Sequence, residues 1–292
     1  MKNTNSFLVK PTKNNPFLLL IITAFLITIY LTSTWKVGSD LVMSGLSMFV
    51  VCFMVWEKRQ NLTLQSSLIA KLFGVVLIAI MLLKLSPELF RGSSFLFAIA
   101  QRSPISSVRV SIFIFAIGLG IIASGFQGLK QYWKELIIIF FVSISSVIVI
   151  VGLDPSLITA KFSGFLLWCL GFNVYLQDVY IYLPRGAVEV GKPCAGGIAI
   201  DYLLGISMIL IFMFPLKRIY AIIVPIIGVT IAFVVNGFRV ALMAILVDSK
   251  DMLAFEYWHN GDGSLIFIMI ASAIFVAFYF LLIRYSDIAK VD

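Results

Sequence analysis

The stretch ITAKFSGFLLWCLGFNVYLQ, residues 158–177, decides the fold of this chain. It holds 20 residues and a single charge, Lys161, and a helix needs about 20 apolar residues to cross roughly 30 Å of hydrocarbon. As a span it would invert every later loop and leave Lys217 and Arg218 outside, against the preference of basic loops for the cytoplasm. Lys161, Ser163, Asn173 and Gln177 are also spaced along it. The segment therefore reads as an amphipathic helix lying on the outer face of the membrane.

Apolar runs surround it on both sides: Phe17–Ser33, Leu41–Trp56, Leu64–Leu85, Val110–Phe126, Leu136–Val151, Ile198–Phe214, Ile219–Val247 and Leu265–Ile283. None shows the period-two alternation of a membrane barrel. With 61% hydrophobic and 12% charged residues, the composition excludes an ordinary soluble domain. The expected fold is an all-α integral membrane protein, a polytopic helical bundle of about eight transmembrane helices forming one membrane domain over residues 1–292. Lys2, Lys10 and Lys13 precede the first run as in a signal sequence. That run ends in Leu31-Thr32-Ser33-Thr34-Trp35, without a convincing small-residue cleavage site, so it is expected to stay as a span.

Basic residues set the orientation. With the N-terminal lysines in the cytoplasm, Lys58 and Arg59, Lys130 and Lys134, Lys217 and Arg218, and Arg284 and Lys290 all fall on the same side, which places both termini there. The opposite face carries Lys36, Arg91, Arg102, Arg109, Lys161, Arg185, Lys192 and Lys250, spread over longer segments. The net charge of +8 is scattered in loops and forms no stripe, which argues against a nucleic-acid partner. Between Pro87 and Arg109, the Ser, Pro and Arg content predicts an outer segment that does not span. From the end of that stretch, Val174–Tyr182 alternates loosely, Pro184-Arg185-Gly186 supplies a turn, and Ala187–Val190 is placed to pair back. A small β-hairpin is expected before Cys194.

Chemistry concentrates at that same face. Cys194 lies in Pro193-Cys194-Ala195-Gly196-Gly197, just before a span. A helix N-terminus and the nearby Lys192 both favour a thiolate, while Gly196 permits close approach to the helix start. The alternative is a small buried cysteine at a helix end. Arg239 follows Arg218 by 21 residues, about 30 Å up a helix and near the outer boundary. There it either snorkels or binds a ligand. Asn236 and Arg239, at i and i+3, put an amide and a guanidinium on one face, suited to a carbonyl or an oxyanion.

His259 is the only histidine and falls in a polar loop before the last span. It suits a general acid or base, with Glu256 or Asp262 available to orient it. Asp201 is either a buried partner for Arg239 or a packing residue. Trp168, Tyr175, Tyr180, Tyr182, Tyr257 and Trp258 read as an interfacial aromatic belt. The three cysteines, Cys52, Cys169 and Cys194, make no disulfide framework and no metal-ligand pattern, so neither a metal nor an organic cofactor is expected.

Together, Cys194-Ala195-Gly196, Asn236-Gly237-Phe238-Arg239 and the isolated His259 before a final span resemble the exosortase and archaeosortase family. The resemblance covers residues 136–283, the core that would be catalytic; the earlier spans, over 17–135, match in hydropathy. It implies a membrane cysteine transpeptidase in which Cys194 is the nucleophile, followed in the exosortase order by Arg239 and His259. The implied partners are secreted proteins that end in a short motif, a transmembrane helix and a basic cluster, and a cell-envelope acceptor, lipid-linked or otherwise. Many exosortases carry Cys-Ser-Gly where this chain has Cys194-Ala195-Gly196, a departure that bears on subtype and signal preference. The competing expectations are a transporter or export component for exopolysaccharide, with Arg239 and Asp201 lining a path, and a non-catalytic receptor for the same signal.

Overall fold

A computed structural model describes residues 12–37, 41–89, 104–143, 154–259, 261 and 263–288. The chain divides into two compact units, Met1–Ile144 and Ser145–Asp292.

The first unit holds a short strand β1 (Thr12–Lys13), helices α1 (Pro16–Val37) and α2 (Leu41–Glu57), strand β2 (Gln65–Ser66), and helices α3 (Leu68–Leu89), α4 (Pro104–Gly128) and α5 (Trp133–Ser143). Strands β1 and β2 pair antiparallel, Thr12 with Ser66 and Lys13 with Gln65. Leu26, Tyr30, Met48, Ile78, Leu85, Ile112 and Phe115 are among its buried core residues. Helical structure runs nearly continuously through Val108–Ser143, and Gly125, at φ 70°, interrupts it. Only glycine takes that conformation without steric cost. The carbonyls freed there find partners: Asn14 Nδ2 donates to Ile122 O at 3.0 Å and to Ala123 O at 2.8 Å, and Ser66 Oγ donates to Ile121 O at 3.0 Å.

The second unit contains α6 (Ser156–Cys169), strands β3 (Tyr175–Gln177), β4 (Tyr180–Leu183) and β5 (Gly186–Glu189), and helices α7 (Gly197–Met213), α8 (Arg218–Asp248), α9 (Met252–His259) and α10 (Gly263–Ile288). The stretch 158–177 is thus not one continuous helix. Helix α6 has 14 residues, about 21 Å at 1.5 Å per residue, too short to cross the hydrocarbon. Its face is set by size more than by polarity. Ser156, Thr159, Ala160, Ser163, Gly164 and Leu167 are buried at helical spacing, whereas Leu157, Ile158, Phe165 and Trp168 are exposed, as is Lys161. Small inward residues let backbones approach closely, as in membrane helix packing generally. Gly237 of α8 sits against the ring of Phe162, where any Cβ would collide.

The expected hairpin is a three-stranded antiparallel sheet in the order β3-β4-β5. The run Val174–Tyr182 breaks because Asp178 adopts φ 53°, a left-handed conformation that Asp tolerates better than most residues. Ile181, Leu183 and Val190 bury one side in a cluster with Ala160, Leu167, Val240, Ala241 and Ala244. Tyr175, Tyr180 and Tyr182 remain exposed, with ring centroids 5.8 and 6.2 Å apart. The predicted turn at 184–186 is tied to the end of α8: Arg185 N donates to Asp248 Oδ1 at 2.7 Å, and Gly186 lies against Val247.

Among the described residues, six segments are long and apolar enough to cross a membrane: Pro16–Trp35, Leu68–Leu85, Val108–Ser143, Lys192–Met213, Arg218–Asp248 and Gly263–Tyr285. The second expected span forms α2, an apolar helix of 17 residues. The fifth begins as α5, its remainder lying outside the described residues, as does most of the segment expected between Pro87 and Arg109. A multi-pass helical membrane protein follows, with a small sheet inserted ahead of α7.

Candidate active site

Cys194 closes a single 3-10 turn, Lys192–Cys194, that leads into α7. Its N–H donates to Gly191 O at 2.9 Å, and Ile200 N opens the helix by donating to Gly196 O at 3.0 Å. Between them Gly196 takes φ 95°. A Cβ there would meet Asn236 Nδ2 at 2.9 Å and Cγ at 3.1 Å, so conformation and space both require glycine. The turn presents two successive carbonyls to neighbouring helices. Asn236 Nδ2 donates to Cys194 O at 2.9 Å, and Thr159 Oγ1 donates to Ala195 O at 3.1 Å.

With its backbone held in this way, Cys194 places Sγ 3.3 Å from His259 Nε2. A thiol donates to a neutral imidazole across that contact; a thiolate accepts from an imidazolium. His259 is the last residue of α9, a helix that Asp251 caps through Ala254 N at 3.0 Å. One turn earlier Phe255 packs on the imidazole, with centroids 4.9 Å apart. The backbone of His259 is held as well, since Arg239 Nη2 donates to its carbonyl at 2.9 Å.

Cys194, Asn236, Arg239 and His259 line one cavity of about 250 Å³, with Ile198, Val235 and Phe267 on its apolar side. Arg239 lines the same cavity as Cys194, whereas Lys192 is exposed. Arg239 Nε and His259 Nδ1 are buried without a hydrogen-bond partner among the described residues. The arrangement therefore brings a thiol, an imidazole in contact with it and a guanidinium with donor capacity to one cavity, the groups that nucleophilic catalysis uses.

The other expected residues fall into different places. Asn236 is 4% exposed, lines the same cavity as Arg239 and gives its amide to the Cys194 carbonyl, so in the structure it holds the 194–196 turn. Asp201 is half-buried on α7 and is not among the residues lining the cavity, while Arg239 donates to the His259 carbonyl. Glu256 is exposed on α9, also away from the lining, while Asp262 lies outside the described residues. Sequence reasoning took Ser163 only as a polar residue along the stretch and did not single out Thr159. Their signal was present in the spacing of small residues along α6, whose two small pairs, Thr159 with Ser163 and Ala160 with Gly164, each lie four apart.

Residues 35–276 match the family model described as Transmembrane exosortase (Exosortase_EpsH). The chain belongs to the transmembrane exosortase family. The matched range includes Cys194, Arg239 and His259, the residues on which the resemblance was drawn. Over 82 residues this exosortase-family chain is also 37% identical to a protein named Probable archaeosortase E from Methanocaldococcus jannaschii, covering 28% of the chain and 42% of the relative. The chain thus matches less than half of that curated relative's length. No solved structure matches it.

Proposed function

We propose that this protein is a membrane-embedded cysteine peptidase or transpeptidase that cleaves the C-terminal sorting signal of secreted proteins and transfers them to a cell-envelope acceptor. The observation that carries the reading is the 3.3 Å contact between Cys194 Sγ and His259 Nε2 at a cavity that Arg239 also lines. His259 Nε2 takes the thiol proton, and the thiolate attacks the carbonyl carbon of the scissile peptide bond. The guanidinium of Arg239 stabilises the tetrahedral oxyanion. Collapse breaks the C–N bond, His259 returns its proton to the leaving amine, and a thioester remains on Cys194. An acceptor amine or other nucleophile, deprotonated by His259, then releases the acyl group; water in that role gives hydrolysis.

The substrate is a secreted protein whose signal combines a short motif, a transmembrane helix and a basic cluster. Its helix docks laterally among the spans and presents the bond beside its end to Cys194. The basic-loop pattern supports cytoplasmic termini and an extracytoplasmic site in the cell membrane. The test is co-expression with a secreted protein bearing such a signal, comparing wild type with Cys194→Ala by the mass of the substrate. Loss of the C-terminal segment with wild type alone supports the enzyme. Equal processing by the variant, or none by either when both are inserted, sinks the mechanism and favours a receptor or transporter.

A further inference from the structure

Serine and threonine in membrane helices ordinarily return their hydroxyls to their own backbone. Helix α1 behaves so: Thr23, Thr28, Ser33 and Thr34 each donate to the carbonyl four residues back, at 2.8–2.9 Å. Thr230 of α8 does the same at 2.9 Å. Helix α6 departs from the pattern twice. Thr159 Oγ1 reaches Ala195 O at 3.1 Å, and Ser163 Oγ reaches Gly237 O at 3.0 Å, both side chains being fully buried.

These two acceptors are not arbitrary. Ala195 follows the nucleophile, and Gly237 lies between Asn236 and Arg239. Thr159 and Ser163 are one turn apart on a helix too short to span, so a rigid 14-residue rod touches both halves of the cysteine–arginine pair. The close seating of Gly237 on Phe162 of the same helix fixes the separation.

We infer that Thr159 and Ser163 form a hydroxyl bracket on α6 that sets the nucleophile's turn in register with the Arg239 helix, making both positioning residues for the reaction. The inference rests on the peptidase reading above. It explains why a helix too short to span the membrane, and outside the cavity lining, is held by hydroxyls on its small-residue face, with Leu157, Ile158, Phe165 and Trp168 turned outward. Loss of either hydroxyl lets the 194–196 turn shift relative to His259, which makes the thiol respond less to the imidazole.

The test uses the full chain in detergent with Cys52 and Cys169 replaced by Ala, and measures the rate of Cys194 alkylation by iodoacetamide, which needs no peptide substrate. Thr159→Val is expected to slow alkylation about tenfold when His259 is present and to add nothing in a His259→Ala background. Thr159→Ser restores the rate to within about twofold, since it returns the hydroxyl. Ser163→Ala carries the same comparison should Thr159→Val fold poorly. Alkylation unchanged by both hydroxyl deletions overturns the bracket, as does slowing that persists without His259 or a Ser variant that fails to rescue. If a sorting-signal substrate is cleaved, Thr159→Val should lower kcat about 100-fold with KM retained. A His259-linked effect on alkylation with no substrate cleaved by wild type leaves the bracket standing and removes the peptidase reading; cleavage by wild type with unchanged alkylation does the reverse.

Discussion

Two polar clusters in this apolar chain meet the cost of burial in opposite ways. In the first unit Lys58 Nζ lies 2.8 Å from Glu135 Oε2, also donates to the Gln131 carbonyl, and stands 5.3 Å from the centroid of the Tyr132 ring. Glu135 is only 3% exposed, yet every charge in the cluster is answered by a neighbour. In the second unit His259 bonds both Cys194 and Arg239, while His259 Nδ1 and Arg239 Nε are buried without a partner among the described residues, around a cavity of about 250 Å³. A closed network holds structure together, whereas an incompletely satisfied one beside open space retains interaction capacity for another molecule. The first cluster is a clamp; the second is a candidate site.

Replacing Cys194 with Ala should bring the largest change of all. Cleavage of a sorting-signal substrate falls to background while insertion and thermal midpoint stay as in wild type, measured by substrate mass and detergent-phase unfolding. His259→Ala is next, at a cost of about 100- to 10,000-fold in kcat, as for a general base. Arg239→Gln should lower kcat about 100- to 1,000-fold, as for loss of an oxyanion donor. Equal rates in either variant would dissolve the contrast between the clusters.

Gly196→Ala tests geometry in place of chemistry. Forcing a Cβ to φ 95° against Asn236 should cost about 1–3 kcal/mol of stability. The turn must shift, so the Cys194 alkylation rate should change too.

In the clamp the direction reverses. Glu135→Gln leaves Lys58 without its carboxylate, but Lys58 is 27% exposed, so the loss should be about 1–3 kcal/mol instead of the larger figure for a fully buried pair. Thermal unfolding reads it, and the specific activity of the folded fraction should not move. The paired change Lys58→Met with Glu135→Leu should restore most of that stability. Glu256→Gln, an exposed change away from the cavity, should leave cleavage within about twofold of wild type.

Much of the candidate site was legible in the order of residues. Cys194, Arg239 and His259 stand out because each is scarce or costly in its surroundings, and the hydropathy runs placed them near span ends. The role of Asn236 was not legible: its spacing to Arg239 suggested two side chains acting together, and only the fold turns its amide onto the Cys194 carbonyl. The sheet was half legible. Alternation and the turn at 184–186 announced strands, but the break at Asp178 depends on one backbone conformation that composition does not specify.

The stretch 158–177 marks the boundary between the two kinds of information. Apolar runs of spanning length, basic loops and three conspicuous reactive residues follow from composition and position alone, since transfer into hydrocarbon depends on local sequence. Where α6 ends, which of its faces turns inward, and which carbonyls Thr159 and Ser163 reach were decided in three dimensions. Those outcomes depend on small side chains that let α6 and α8 close on each other, and close packing is a property of pairs of surfaces, not of either strip of sequence by itself.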